Sequence, residues 1–282
     1  MILDALLDTL LDSVKLLPFL FLTYLLMEYV EHKMGAKAQG LLKSSGKTGP
    51  LWGAVLGMMP QCGFSAAASS LYAGRIITMG TLIAIFLSTS DEMLPVLISE
   101  AVPYQLILKI LLIKVIIGMV AGFIIDFVCS RRNKGKKIEI DVHHFCEHGH
   151  CHCGKGILKP ALNHTIKIFV FILLISAVLN IVIGLMGTEV LAEFVLNKPV
   201  IGELLAGLIG LIPNCAASVV ITQLYLDGVL QIGTMMAGLL VGAGVGLLVL
   251  FRVNDNKKEN IKIVGLLYGI GVVAGIIINA IM

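Results

Sequence analysis

Met59-Pro60-Gln61-Cys62-Gly63-Phe64-Ser65 and Ile212-Pro213-Asn214-Cys215-Ala216-Ala217-Ser218 are two versions of one element. Each places a proline, an amide and a cysteine inside an apolar segment, where lipid alone would select against them. The two stand 153 positions apart, Cys62 to Cys215. Laying residues 57–126 on 210–279 at that offset, without a gap, gives 22 identities in 70 positions. They include Gly57/Gly210, Tyr72/Tyr225, Gly80/Gly233, Thr81/Thr234, Lys109/Lys262, Gly118/Gly271 and Gly122/Gly275. Matching Pro, Cys, Ser, Tyr and Lys in one register is more than shared low complexity provides, so the chain reads as two copies of one unit.

The surroundings of these elements fix the environment. The chain of 282 residues is 57% hydrophobic and only 14% charged, where a soluble domain averages about 25% charged. Its mean hydropathy is +0.96, and several apolar runs reach the roughly 20 residues that cross a bilayer. A polytopic membrane protein follows. The N-terminal segment carries Asp4, Asp8 and Asp12, which gives a helix one acidic face, and it lacks the basic start of a cleavable signal peptide. No Walker A or Rossmann glycine pattern occurs, and the six cysteines lack the spacing of an extracellular disulfide framework. Nothing suggests nucleic-acid binding.

Charge placement sets the expected topology. Crossings are expected at 16–32, 76–98, 105–129, 165–187, 229–251 and 263–282, with the two Pro-amide-Cys elements at 50–74 and 199–226. Segments 33–49, 130–160 and 252–262 are basic, whereas the N-terminus, 99–104 and 188–198 are acidic. Basic loops belong in the cytoplasm. If both elements crossed fully, as eight plain spans with proline kinks, the basic 130–160 segment would fall outside. If each dips in and returns, every basic segment lies inside and every acidic one outside. Arms of about ten residues span about 15 Å and reach roughly the midplane. Three crossings plus one hairpin per copy is an odd number, so the copies must be inverted. The expected fold is an all-α polytopic membrane protein of two inverted repeats, each with three crossing helices and one re-entrant helical hairpin. The repeats occupy 1–129 and 165–282, joined by a cytoplasmic linker at 130–164. Both termini are expected outside the inner (cell) membrane.

The candidate ligands follow from this arrangement. Cys62 and Cys215 offer thiolates that suit soft metal or metalloid centres, and two from opposed hairpins could share one ion; a buried free cysteine can equally serve as a small hydrophobe. Gln61, Asn214, Ser65 and Ser218 add amide and hydroxyl oxygens, or cap the hairpin turns. Asp91 and Glu92, beside Ser88-Thr89-Ser90, fall within a span of the first copy only; their counterparts are Gly244 and Val245. Carboxylates inside a membrane mark pathways or proton relays, unless that span ends near Ser90 and the acids face outer water. The linker holds His143, His144, Cys146, His148, His150, Cys151, His152 and Cys153 within eleven residues. Such a tract offers ligands for a divalent metal, though its spacing is not that of a zinc knuckle. No resident cofactor is required.

These segments together resemble a known family. Met59-Pro60-Gln61-Cys62-Gly63, Ser88-Thr89-Ser90-Asp91-Glu92-Met93, His148-Gly149-His150-Cys151-His152-Cys153 and Pro213-Asn214-Cys215-Ala216 are similar to the ten-transmembrane heavy-metal exporters, whose members are labelled arsenic efflux proteins or manganese transporters. The resemblance runs over nearly the whole chain. It implies an exporter of a metal or metalloid ion, with ten counted as six crossings plus two hairpins of two arms. A proton-coupled arsenite-type or soft-cation exporter leans on the cysteines, a manganese(II) exporter on the oxygen ligands, and a membrane-bound metal sensor on the linker.

Overall fold

The computed structural model describes residues 48–58, 62–90, 93–132 and 200–281, with scattered helical positions within 17–25 and 158–174. Ten helices are bounded there: α1 (Gly49–Gly57), α2 (Cys62–Ala73), α3 (Met79–Ser88), α4 (Met93–Ser99), α5 (Tyr104–Arg132), α6 (Ile201–Gly210), α7 (Cys215–Leu226), α8 (Ile232–Val241), α9 (Val245–Val253) and α10 (Lys257–Ile281). No strand occurs among the described residues. The bounds recur at the sequence offset: Cys62–Ala73 becomes Cys215–Leu226, and Met79–Ser88 becomes Ile232–Val241.

Local chemistry explains the starts and stops. Pro50 sits in the first turn of α1, where its missing N–H is no loss. Pro60 falls between α1 and α2 and Pro213 between α6 and α7, where a proline stops the preceding helix. Thr78 caps α3 by accepting a hydrogen bond from the Thr81 backbone N–H.

Each of the expected spans 76–98 and 229–251 is interrupted. In the first, Ser88 Oγ donates to the Ala84 carbonyl at 2.8 Å and Thr89 Oγ1 to that of Ile85 at 2.7 Å. These bonds compete with the helix ladder, and Thr89 leaves helical geometry with ψ 130°. The second break uses glycine: Gly242 turns to ψ 89° and Gly244 takes φ +51°, a left-handed conformation that glycine adopts at little cost. Across their breaks, Met79–Ser99 and Ile232–Val253 remain long and apolar enough to cross a membrane, as do the unbroken α5 and α10. The expected loop 252–262 is shorter than charge alone suggests, because α10 already begins at Lys257.

Packing separates inner from outer helices. Every residue from Gly80 to Ser88 in α3 and from Gly233 to Val241 in α8 is buried. On α5, by contrast, Leu108, Leu112, Ile116, Val120, Ile124 and Phe127 stay exposed. Their spacing makes one apolar stripe suited to lipid. The opposite face of α5 carries Gly118 and Gly122, where added Cβ atoms would come within 2.8 Å of the Ala84 carbonyl and 2.7 Å of the Gly80 carbonyl. Their counterparts Gly271 and Gly275 meet the carbonyls of Ala237 and Gly233. Small residues let helix backbones approach this closely.

The same contacts fix directions. The start of α1 lies against the start of α3: a Cβ on Gly49 would collide with the Thr81 hydroxyl, and one on Gly57 with the Ser88 hydroxyl. α1 and α3 therefore start at one end and run parallel. Asp126, late in α5, accepts from Thr78 Oγ1 at 2.6 Å and the Gly80 N–H at 2.8 Å, so α5 returns to that end. In the second copy Asn279, late in α10, meets Gln231 at 2.5 Å and Glu203 at 2.7 Å. Contacts between copies are reciprocal: α2 packs on α9, and α7 packs on α4.

Candidate functional site: two helix breaks at the centre

The most unusual side chain in the described structure is a lysine buried within the long helix α5. Lys114 is 1% exposed. It stands ten residues into α5, about 15 Å from its start, which is mid-membrane depth. Its Nζ donates to the carbonyl of Thr89 and, at 2.9 Å, to that of Leu239. Thr89 closes α3 and Leu239 lies in the last turn of α8. One ammonium thus bridges carbonyls at the broken ends of a helix from each copy. Those carbonyls lack helix partners because the ladder stops, and each helix C-terminus carries about half a negative charge. A charge-assisted bond is the strong way to satisfy them in a dry interior.

Helices α2 and α7 border the second of these breaks. Ser65 on α2 is fully buried; a Cβ added to Gly246, just past the second break, would come 2.7 Å from Ser65 Cβ. Ser69 Oγ, one turn further along α2, donates to the Gly246 carbonyl at 2.7 Å. Asn214 and Ser218 line a small pocket with Gly210, Gly238, Gly242 and Gly244. Among the predicted ligands, Ser65, Asn214 and Ser218 therefore sit beside the second break. Cys62 and Cys215 open α2 and α7 at equivalent positions, but their side chains lie outside the described residues. So do Gln61, Asp91, Glu92 and the linker His143, His144, Cys146, His148, His150, Cys151, His152 and Cys153. No group of three or more His, Cys, Asp or Glu side chains that could hold a metal occurs among the described residues.

Two further polar clusters lie away from the centre. Arg75, after α2, grips Glu259 on α10 through two bonds of 2.9 and 2.8 Å, and Tyr72 donates to the same carboxylate. The matched fork is the strong geometry for this pair. Arg75 holds φ +59°, and its counterpart Gly228 holds φ +75°; the first copy accepts a strained backbone to place a guanidinium. At the foot of the second copy, Glu203 is 1% exposed and its Oε2 has no partner among the described residues. The first copy has Pro50 there, and its acid, Asp126, stands where the second has Asn279.

A family model described as "Putative, 10TM heavy-metal exporter" matches residues 2–202. The chain belongs to this family. No curated protein and no solved structure matches it. The match covers the first copy, the linker and the start of α6; α7–α10 connect to it through the internal offset. As a member of the heavy-metal exporters, with its apolar helices, this is a multi-pass membrane transport protein. In that setting, non-helical backbone at membrane depth is tolerated only beside protein or water. Broken helices with exposed carbonyl ends are the parts from which transporters build ion sites.

Proposed function

We propose that the chain is a secondary transporter that exports a heavy metal or metalloid, of arsenite type or a soft divalent cation, from a site halfway through the membrane. The observation that carries this reading is the Lys114 bridge: two helix breaks, one per copy, lie close enough to share a single ammonium. A site shared between two copies is what alternating access requires.

Inversion of the copies is part of the proposal, and two sets of contacts support it. Gly49, Thr78 and Asp126 gather at one end of the first copy; Glu203, Gln231 and Asn279 gather at one end of the second. The opposite end of α10 holds Glu259, which is gripped by Arg75 at the first copy's gathered end. The two gathered ends then face opposite ways, α1–α2 and α6–α7 become re-entrant hairpins from opposite faces, and 1–129 and 165–282 are the two repeats. The termini fall outside and the linker 130–164 inside.

Cys62 and Cys215 head the second arms of these hairpins and are the proposed soft ligands, with Gln61, Asn214, Ser65 and Ser218 around them. Asp91 and Glu92, adjoining the first break, are the proposed proton-coupling carboxylates. The His/Cys linker collects metal on the cytoplasmic side. Manganese(II) is the alternative cargo, and it would lean on the oxygen ligands of Asp91, Glu92, Gln61 and Asn214. One comparison separates the cargos: flux of arsenite and of manganese(II) into inside-out vesicles carrying wild-type protein or the Cys62→Ser/Cys215→Ser pair. Loss of arsenite flux alone supports the soft-ion reading. Manganese flux that survives the substitution, with no arsenite flux in the wild type, would replace it with the oxygen-ligand reading, and no flux of either ion would defeat both.

A further inference from the structure

Lys114 is a buried charge for which export of a metal gives no task. It stands in one copy only, since the matching position of the second is Leu267. The duplicated fold therefore does not demand an ammonium there. What the fold does produce is a spot where the carbonyl ends of α3 and α8 converge. Half-helix C-termini and unwound carbonyls are the groups that hold sodium ions or protons in transporters of this build. An oxygen-lined, negatively polarised centre needs some cation.

We propose that the Lys114 ammonium is a tethered substitute for a coupling cation. It fills, from within the chain, the place between the two broken helix ends that a monovalent ion such as sodium would otherwise occupy. The transporter then carries its own positive charge at the centre, and its cycle is independent of sodium. A coupling role rests on the transport reading; the occupancy of the spot does not.

Melting of the purified protein in sodium chloride against choline chloride, at equal ionic strength, tests this. Wild type is expected to melt at the same temperature in both salts. Lys114→Ala is expected to melt lower in choline and to recover by about 3–5 °C when sodium exceeds its dissociation constant roughly tenfold. Lys114→Arg, which keeps a tethered charge, is expected to stay indifferent to sodium. An alanine variant that ignores both sodium and potassium overturns the proposal, and so does a wild type that sodium stabilises by a similar amount. If Lys114→Ala does not fold, the wild type still decides: its melting stays insensitive to sodium, and its metal flux in vesicles runs equally with sodium or choline on both sides. A flux that needs a sodium gradient overturns the proposal. No flux under any gradient counts against the transport reading and leaves the melting comparison to judge the lysine.

Discussion

The two copies share a scaffold and differ in chemistry. Their helix bounds agree to within a residue, except that α5 outruns α10 at its end, and their glycine contacts and broken inner helices recur at the sequence offset. Their charged groups do not: Arg75, Asp91, Lys114 and Asp126 in the first copy face Gly228, Gly244, Leu267 and Asn279 in the second. Even the breaks are made differently, by back-bonding hydroxyls at Ser88-Thr89 and by glycines at 242–244. Backbone packing was thus kept in duplicate, while the charged groups were placed differently in each copy, as Glu203 and Glu259 of the second also show. A shared site needs only one proton carrier or one built-in cation, but it needs two matching walls.

The largest expected effects fall where the copies are alike. Gly80→Leu and Gly233→Leu each drive a side chain into a backbone carbonyl on the adjacent long helix, at Gly122 and Gly275. Each should cost more than about 4 kcal/mol and abolish folded, monodisperse protein in size-exclusion chromatography. A tolerated leucine in one copy alone would break the equivalence. Next comes a position where the copies differ. Lys114→Met strips a charged partner from two buried carbonyls and should lower stability by about 2–4 kcal/mol, whereas Leu267→Met should cost under about 1.5 kcal/mol. Thermal melts of the pair sharpen the contrast, and equal losses would remove it.

A smaller difference is expected at the left-handed turn. Arg75→Ala loses the fork to Glu259 and should cost about 1–2 kcal/mol. Gly228→Ala meets no atom within 4 Å and should cost only about 1 kcal/mol of backbone strain. Smallest is deletion of 143–153, which should leave stability unchanged within about 0.5 kcal/mol and keep residual metal flux. Complete loss of activity on that deletion would favour the sensor reading.

How much of this was legible follows from what is local. The identities Gly80/Gly233, Ala84/Ala237, Gly118/Gly271 and Gly122/Gly275 turn out to be the α3–α5 and α8–α10 contacts, so the repeat register already contained the packing. The division of 50–74 and 199–226 at Pro60 and Pro213 was equally readable, because proline acts on its own helix. The breaks were not. Gly242-Ala243-Gly244 is unremarkable to a hydropathy scale, and Ser88-Thr89-Ser90 can sit inside a helix unless the side chains bond backwards, which only geometry reveals. The role of Lys114 was not legible either: counting ten residues from Tyr104 puts it at mid-depth, but its two carbonyl partners lie 25 and 125 positions away. The Arg75–Glu259 pair joins residues of different copies and leaves no local signal.

The central claim is that the paired elements enter from opposite faces, and sided labelling tests it most directly. In a cysteine-free background, Arg131→Cys and Asp227→Cys place single thiols at two exposed positions, to be probed with a membrane-impermeant reagent in intact cells and in inverted vesicles. The account predicts labelling from opposite faces, with position 131 cytoplasmic and position 227 outside. Labelling of both from the same face would mean that the second element traverses the bilayer completely, and would contradict it.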